Sequence, residues 1–392
     1  MRSVRFYLNK RSLPVIYFIS LVFFSVLFLA CPDDPEPEPT TCEYPAGNRT
    51  FTWRVDTVAY WPSFLGGVHA FADDDAYVMG YIGEGQAPWR IFVGKHWNGT
   101  KWDNNIYGTD AEVGHVANDV TGDDHFMVSV GNWSWTPPKP AIGEFDNLAK
   151  KWKAYQFETE GELRSVWTDG KGFFIAVGDN GMVYTKDGYK AEWVYSKAPT
   201  EFHFTNIVGI SKHEMYAISQ LPTITGVIYQ QYWKCYNNQW IKLYDGQDTT
   251  GTPVKLYGTD NSMYDLSVSR CSYNDSLKLY LIGWESFLLE SEGQSLNYSI
   301  TNLSQMGLPL RSMGRTAVRI NLYSPNDYWI FGTRYNFYHW NGTDFQKIVM
   351  PGLPDDDAHF GDQHRMIKTS TGKIFLPTEV SSQVYVVVQG TP

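Results

Sequence analysis

The sequence predicts an all-β fold: a seven-bladed β-propeller of four-stranded antiparallel blades, with an N-terminal strand closing the last blade. Three observations lead there. Seven short apolar runs (AYVMG, HFMVSVG, FFIAVG, MYAISQ, LYLIG, YWIFG and KIFLPT) end at Gly80, Gly131, Gly178, Gln220, Gly283, Gly332 and Thr378. The steps between these positions are 51, 47, 42, 63, 49 and 46 residues. A strand-and-turn period near fifty is the spacing of propeller blades. A second motif also recurs: His96-Trp97-Asn98-Gly99-Thr100 returns as His339-Trp340-Asn341-Gly342-Thr343. Asn-Gly supplies the positive φ of a tight hairpin. Finally, the last repeat runs out after three strands, while the stretch Thr50–Val55 precedes the first complete blade and can supply the fourth. Closure of that kind removes exposed sheet edges.

The third repeat shows one blade most plainly. Leu163–Trp167 reads as inner strand A, Phe173–Val177 as the fully apolar strand B, Met182–Tyr184 as strand C and Glu192–Tyr195 as outer strand D. Asp169-Gly170, Asn180-Gly181 and Asp187-Gly188 are the turns between them. In the last repeat the strands fall near His364–Lys368, Lys373–Leu376 and Val384–Val388. The 63-residue step leaves six or eight blades open as alternatives. An aromatic content of 16 % fits packing between blades.

Residues 1–30 stand outside the ring. Arg2, Arg5, Lys10 and Arg11 precede an unbroken apolar run, Val15–Ala30, which is the pattern of a secretory signal. An uncleaved anchor helix is the alternative, for which sixteen residues is short. Residues 31–43 (CPDDPEPEPTTCE) are acidic and proline-rich and read as an extended tether; residues 44–392 read as the propeller. The net charge of −10 becomes more negative once the four basic residues of the signal are removed. No basic stripe follows Arg11, so nucleic acid is excluded as a partner. Beyond Cys31, the cysteines Cys42, Cys235 and Cys271 permit one disulfide. A Cys235–Cys271 bond would join neighbouring blades. No zinc spacing occurs, and no cofactor or metal is expected.

Phe28-Leu29-Ala30-Cys31 resembles a bacterial lipobox, and the acidic run behind it resembles the export signal of Bacteroidota surface lipoproteins. The repeated turns resemble those of the WNG-turn and Asp-box-like propellers of bacterial envelope proteins. These resemblances imply a lipid on Cys31, a position on the outer membrane facing outward, and a monomeric ring held to the membrane by its N-terminal lipid.

The B–C loops of a propeller crowd one face, and here they carry aromatics that burial would normally claim. Trp89, Arg90, Trp133, Trp135, Trp284, Glu285, Arg334 and Tyr335 are the candidate ligand-binding residues. Paired tryptophans present faces to sugar rings or a peptide, so the expected partner is a glycan or an envelope protein, engaged by a binding or scaffold module. The alternative is a carbohydrate-active, sialidase-like hydrolase or lyase with acids such as Glu84 or Glu285 at the channel mouth. Catalytic residues are not identifiable, since no GxSxG, HExxH or P-loop occurs.

Overall fold

In a computed structural model, the structure describes residues 44–83, 91–104, 116–135, 137–222, 228–248, 250–256, 263–271, 274–283, 286–308, 317–332, 337–350, 353, 365–381 and 384–392. The signal, the tether and Cys31 lie outside them. Five separate four-stranded sheets and one seven-stranded sheet make seven blades. The seven-stranded sheet is two blades joined by one strand, Thr52–Ala72. Its first half pairs with Val384–Thr391, Trp53 opposite Gly390 and Val55 opposite Val388. Its second half pairs with Asp75–Gly83, Val68 opposite Val78. The N-terminal strand thus closes blade 7 and then becomes the innermost strand of blade 1.

Blade 3 follows the sequence reading except at its edge. Strand D is Val194–Lys197 rather than Glu192–Tyr195. Trp193 is taken out of the strand because its ring tucks beneath the blade and its Nε1 donates to the buried Glu144 at 2.7 Å. Strand B is buried at every position in blades 3 and 6, Phe173–Gly178 and Asp327–Gly332. The apolar clusters lie between blades. One joins Val128 and Ile142 of blade 2 to Phe174 and Ala176 of blade 3. Another joins Tyr328 and Ile330 of blade 6 to Tyr280 and Ile282 of blade 5.

The two HWNG turns are built alike. Asn98 Oδ1 accepts from the backbone N–H groups of Thr100 and Lys101, and Asn341 Oδ1 from those of Thr343 and Asp344. Gly99 and Gly342 hold φ of +85° and +91°, where a side chain would be strained. The histidine before each turn reaches the acid that opens strand B: His96 to Asp75 and His339 to Asp327, both at 2.8 Å. Each also stacks on a ring two residues past that acid, Tyr77 or Trp329. A cation from the next blade completes each group, Lys150 on Asp75 and Lys368 on Asp327. Burial pushes both carboxyls up, but these donors outweigh it and hold them below the usual 3.8. Their contribution is therefore present above that value and is lost only in stronger acid.

His69 behaves oppositely. Burial lowers its pKa to about 4, and its Nε2 faces the Asp123 carbonyl at 3.3 Å. The unfolded chain binds a proton near 6.5 that the folded chain refuses until about 4. Stability should fall by about 3 kcal/mol as pH drops through that window. Urea midpoints measured from pH 7 to pH 4 should show this slope, and His69→Gln should flatten it; an unchanged slope would show that another group titrates there.

Cysteine pairing differs from the sequence reading. Cys271 is disulfide-bonded while Cys235 is a free, buried thiol, so the Cys235–Cys271 bond is not formed. Cys235 sits inside the cluster between blades 3 and 4, packed among Phe173, Phe204 and Trp233. Burial there pushes its thiol up to about 11.

Candidate functional site

The inner strands of blades 1 to 6 each carry a one-residue break in register near their start. The breaks fall between Leu65 and Gly67, Ala117 and Asp119, Phe204 and Asn206, Met263 and Asp265, and Ala317 and Arg319. In blade 3 the displaced residue is Arg164. The repeat glycine lies opposite each break, and the bulge drives a carbonyl into the space of a side chain. A Cβ on Gly80, Gly131 or Gly178 would come within 2.0, 1.7 or 2.1 Å of the oxygens of Phe64, Val116 and Glu162. This contact accounts for the recurring glycine. In blade 4 the matching residue is Ser219, one place before the Gln220 chosen from sequence.

In blades 2 to 6 the residue just past the break (Asp119, Ser165, Asn206, Asp265 or Arg319) belongs to an inward set of polar groups. Asp119 Oδ2 accepts from Ser165 Oγ (2.9 Å) and Val166 N (3.0 Å) of the next blade. Ser165 Oγ in turn accepts from Ile207 N at 3.3 Å. Asn206 donates to Asp265, which also accepts from Ile320 N at 2.9 Å. Arg365, from blade 7, reaches Asn206 and the Ile207 carbonyl of blade 4 and lies 3.7 Å from Asp119 of blade 2. One side chain can touch blades 2 and 4 from blade 7 only by crossing the central opening, so Arg365 bridges the channel.

Above this bridge, where strands A begin, a second cluster forms. Arg164 pairs with Glu162 at 2.6 Å and Asp179 at 2.7 Å. His203 Nδ1 is 2.9 Å from Asp179. Asn132 Nδ2 donates to Glu162 at 3.2 Å, and the Glu162 N–H donates to Asp179. Two carboxylates thus converge on the mouth, but both spend their lone pairs on one guanidinium and its neighbours. That arrangement fixes a polar surface and leaves neither acid aimed at a substrate bond.

On the same face, where the chain crosses from blade 7 to blade 1, Tyr60 and Trp61 are 57 % and 59 % exposed. The strand breaks register between Tyr60 and Phe64, and both aromatics ride on that break. Sequence reading passed over them because they sit inside a continuous strand; the only signal was Pro62 interrupting an apolar run.

Of the residues singled out from sequence, Trp133 is half-buried at the end of the strand Phe126–Trp135. The Trp135 backbone pairs with that of Pro138. Trp89, Arg90, Trp284, Glu285, Arg334 and Tyr335 lie outside the described residues, as does Glu84. The acidic run Asp73–Asp75 is a turn: Asp73 accepts from Thr369 and Thr371 of blade 7, and Asp75 holds His96. Among the described residues no group of three or more His, Cys, Asp or Glu is arranged to hold a metal ion.

Fold and site together define a closed seven-bladed β-propeller with a bridged channel and a rigid polar mouth edged by aromatics. No protein family and no curated protein matches the chain. Among solved structures, "YCF48 bound to D1 peptide" is similar over 89 % of this chain and all of its own, with a TM-score of 0.56 and 13 % identity. "YCF48 from Cyanidioschyzon merolae" covers 86 % of this chain and 98 % of its own, with a TM-score of 0.54 and 10 % identity. At such identities the likeness is one of fold, and this fold hosts many roles.

Proposed function

We propose that this chain is a lipid-anchored, envelope-located propeller that binds a protein partner at its mouth. The observation that carries this reading is the exposure of Tyr60 and Trp61 on the face where strands A begin, the face that also carries the fixed Glu162–Arg164–Asp179 cluster. Tryptophan, tyrosine and arginine are the residues that dominate protein interfaces. A solved propeller of the same fold is described as peptide-bound, which supports a polypeptide ligand. The disulfide at Cys271 supports an oxidising compartment outside the cytoplasm. The lipobox-like Cys31 and the acidic tether support an outer-membrane lipoprotein, here a monomeric ring.

The test uses the full-length chain in cells, cross-linked and captured. The wild type should recover a defined partner polypeptide. Tyr60→Ala with Trp61→Ala should reduce its yield at least tenfold, while Leu148→Ala with Tyr236→Ala, on turns of the opposite face, should not. Equal recovery by all three would end the mouth proposal, and release of the captured material by glycosidases would favour a glycan. Metabolic labelling with a fatty-acid analogue should mark the wild type but not Cys31→Ala.

A further inference from the structure

On the flank of the ring, away from the mouth, the chain covers one of its own grooves. Tyr44–Thr50 has no regular secondary structure and lies across the groove at the outer end of blade 6. The Gly47 N–H donates to the Asn326 carbonyl at 3.1 Å, and Asn326 Nδ2 donates to the Tyr44 carbonyl at 2.7 Å. Gly47 rests on the groove floor so closely that a Cβ would stand 2.6 Å from His339 Nε2 and 2.7 Å from Asp327 Oδ1. Arg49 closes the contact, with Nη1 on Asp344 at 2.8 Å and Nη2 on the His339 carbonyl at 3.0 Å.

Blade 2 has the same groove facing blade 3. Val128 pairs with Glu144 as Trp329 pairs with His339, and Phe145 pairs with Trp152 as Trp340 pairs with Phe345. This register puts Phe126 in the place of Asp327, Glu144 in the place of His339 and Lys151 in the place of Asp344. Where blade 6 is covered, blade 2 has an open cleft of about 450 Å³, walled by Phe126, Lys151, Lys153, Tyr189 and Lys190 above Glu144. Two further acids line it: Asp146, whose Oδ1 accepts from the Leu148 and Ala149 N–H groups, and Glu192, 3.9 Å from Lys153. The floor is rigid and neutralised: Glu144 accepts from Lys186 Nζ (2.7 Å), Trp193 Nε1 (2.7 Å) and Tyr155 OH (3.1 Å). Lys151 and Lys190 have no ion pair among the described residues. The charge that receives the segment is thus reversed, from the Asp344 carboxylate to the Lys151 ammonium, and a reversed receptor fits a reversed ligand.

We propose that the cleft between blades 2 and 3 docks an irregular segment of a partner polypeptide, carrying an acidic side chain where Arg49 lies in blade 6. Aromatic walls take the apolar part of the segment, and Lys151 with Lys190 takes its carboxylate.

The test uses two fluorescent heptapeptides, YPAGNRT, the chain's own segment, and YPAGNET, its charge-reversed form, titrated into the full chain at low salt up to millimolar concentration. The glutamate peptide should bind at least fivefold more tightly than the arginine peptide. Lys151→Glu, an exposed change that leaves the Glu144 network intact, should reverse the preference. Tyr60→Ala with Trp61→Ala should leave it unchanged, which keeps this site separate from the mouth. Equal affinity for the two peptides, no binding of either, or a preference that Lys151→Glu does not move would overturn the proposal. So would an oligogalacturonate that binds through Lys151 where neither peptide does.

Discussion

Removing residues 44–56 should cost this protein most of its stability. The excised stretch includes the first half of the outer strand of blade 7, Thr52–Asp56, paired with Val387–Thr391. It also carries Phe51, Trp53 and Val55, which pack against Trp329, Val386 and Val388. The Trp53 ring fills the space over Gly390, where a Cβ would come within 2.6 Å of it. Three apolar side chains of this size are together worth about 5 kcal/mol. That is a large share of the roughly 5–15 kcal/mol by which domains are stable. The truncated chain would also present Val387–Thr391 as an unpaired edge, an invitation to intermolecular pairing. Thermal melting followed by circular dichroism should show a much lower midpoint, and size exclusion should show aggregates. Trp53→Ala, which keeps the backbone ladder, should lose about 3 kcal/mol and stay monomeric. A truncated chain that melts like the wild type would mean that the ring is held shut elsewhere.

The same closure explains how much could be read from sequence. Blades 1 to 3 repeat one steric problem, a bulge carbonyl facing the end of strand B, and glycine solves it at Gly80, Gly131 and Gly178. A local backbone clash leaves a local mark, so the architecture was legible. The Asn-Gly hairpins were legible for the same reason, since positive φ at Gly99 and Gly342 restricts the residue. The sites were not. Arg164, Asp179 and His203 meet from three separate strand ends, and nothing in their spacing marks them as neighbours. Arg365 finds Asn206 across 159 residues of sequence. The histidines of the HWNG turns look like part of the turn, yet their partners are acids at the start of strand B, 21 residues before His96 and 12 before His339. Trp133, read from sequence as a loop residue, lies in the strand Phe126–Trp135, whose pairing runs on to Trp135 and Pro138. Short-range sterics are written into a repeat, whereas contacts across a ring are set only when the ring closes.

Arg365→Met should therefore expose what holds the centre together. The guanidinium is the only described side chain that links blade 7 with both blade 2 and blade 4, through Asp119, Asn206 and the Ile207 carbonyl. Methionine keeps much of the side chain's apolar length but removes every donor. Asp119 and Asp265 would remain buried, Asp265 with Arg319 still 3.8 Å away. Burial already pushes the Asp265 carboxyl above the ordinary range, while Arg319 and Arg365 pull it back, so losing Arg365 drives it higher. Leaving a buried carboxylate uncompensated costs about 3 kcal/mol. Urea unfolding at pH 7 should show that loss. Asp119→Asn in the same chain should restore part of it, because the amide needs no counter-charge and can still accept from Ser165 and Val166. The two changes together should then cost less than the sum of each alone, which a double-mutant cycle reads directly. Strict additivity would mean that Arg365 and Asp119 do not communicate and that the channel is held by backbone pairing alone. Non-additivity of 1 kcal/mol or more would show the bridge acting across the ring.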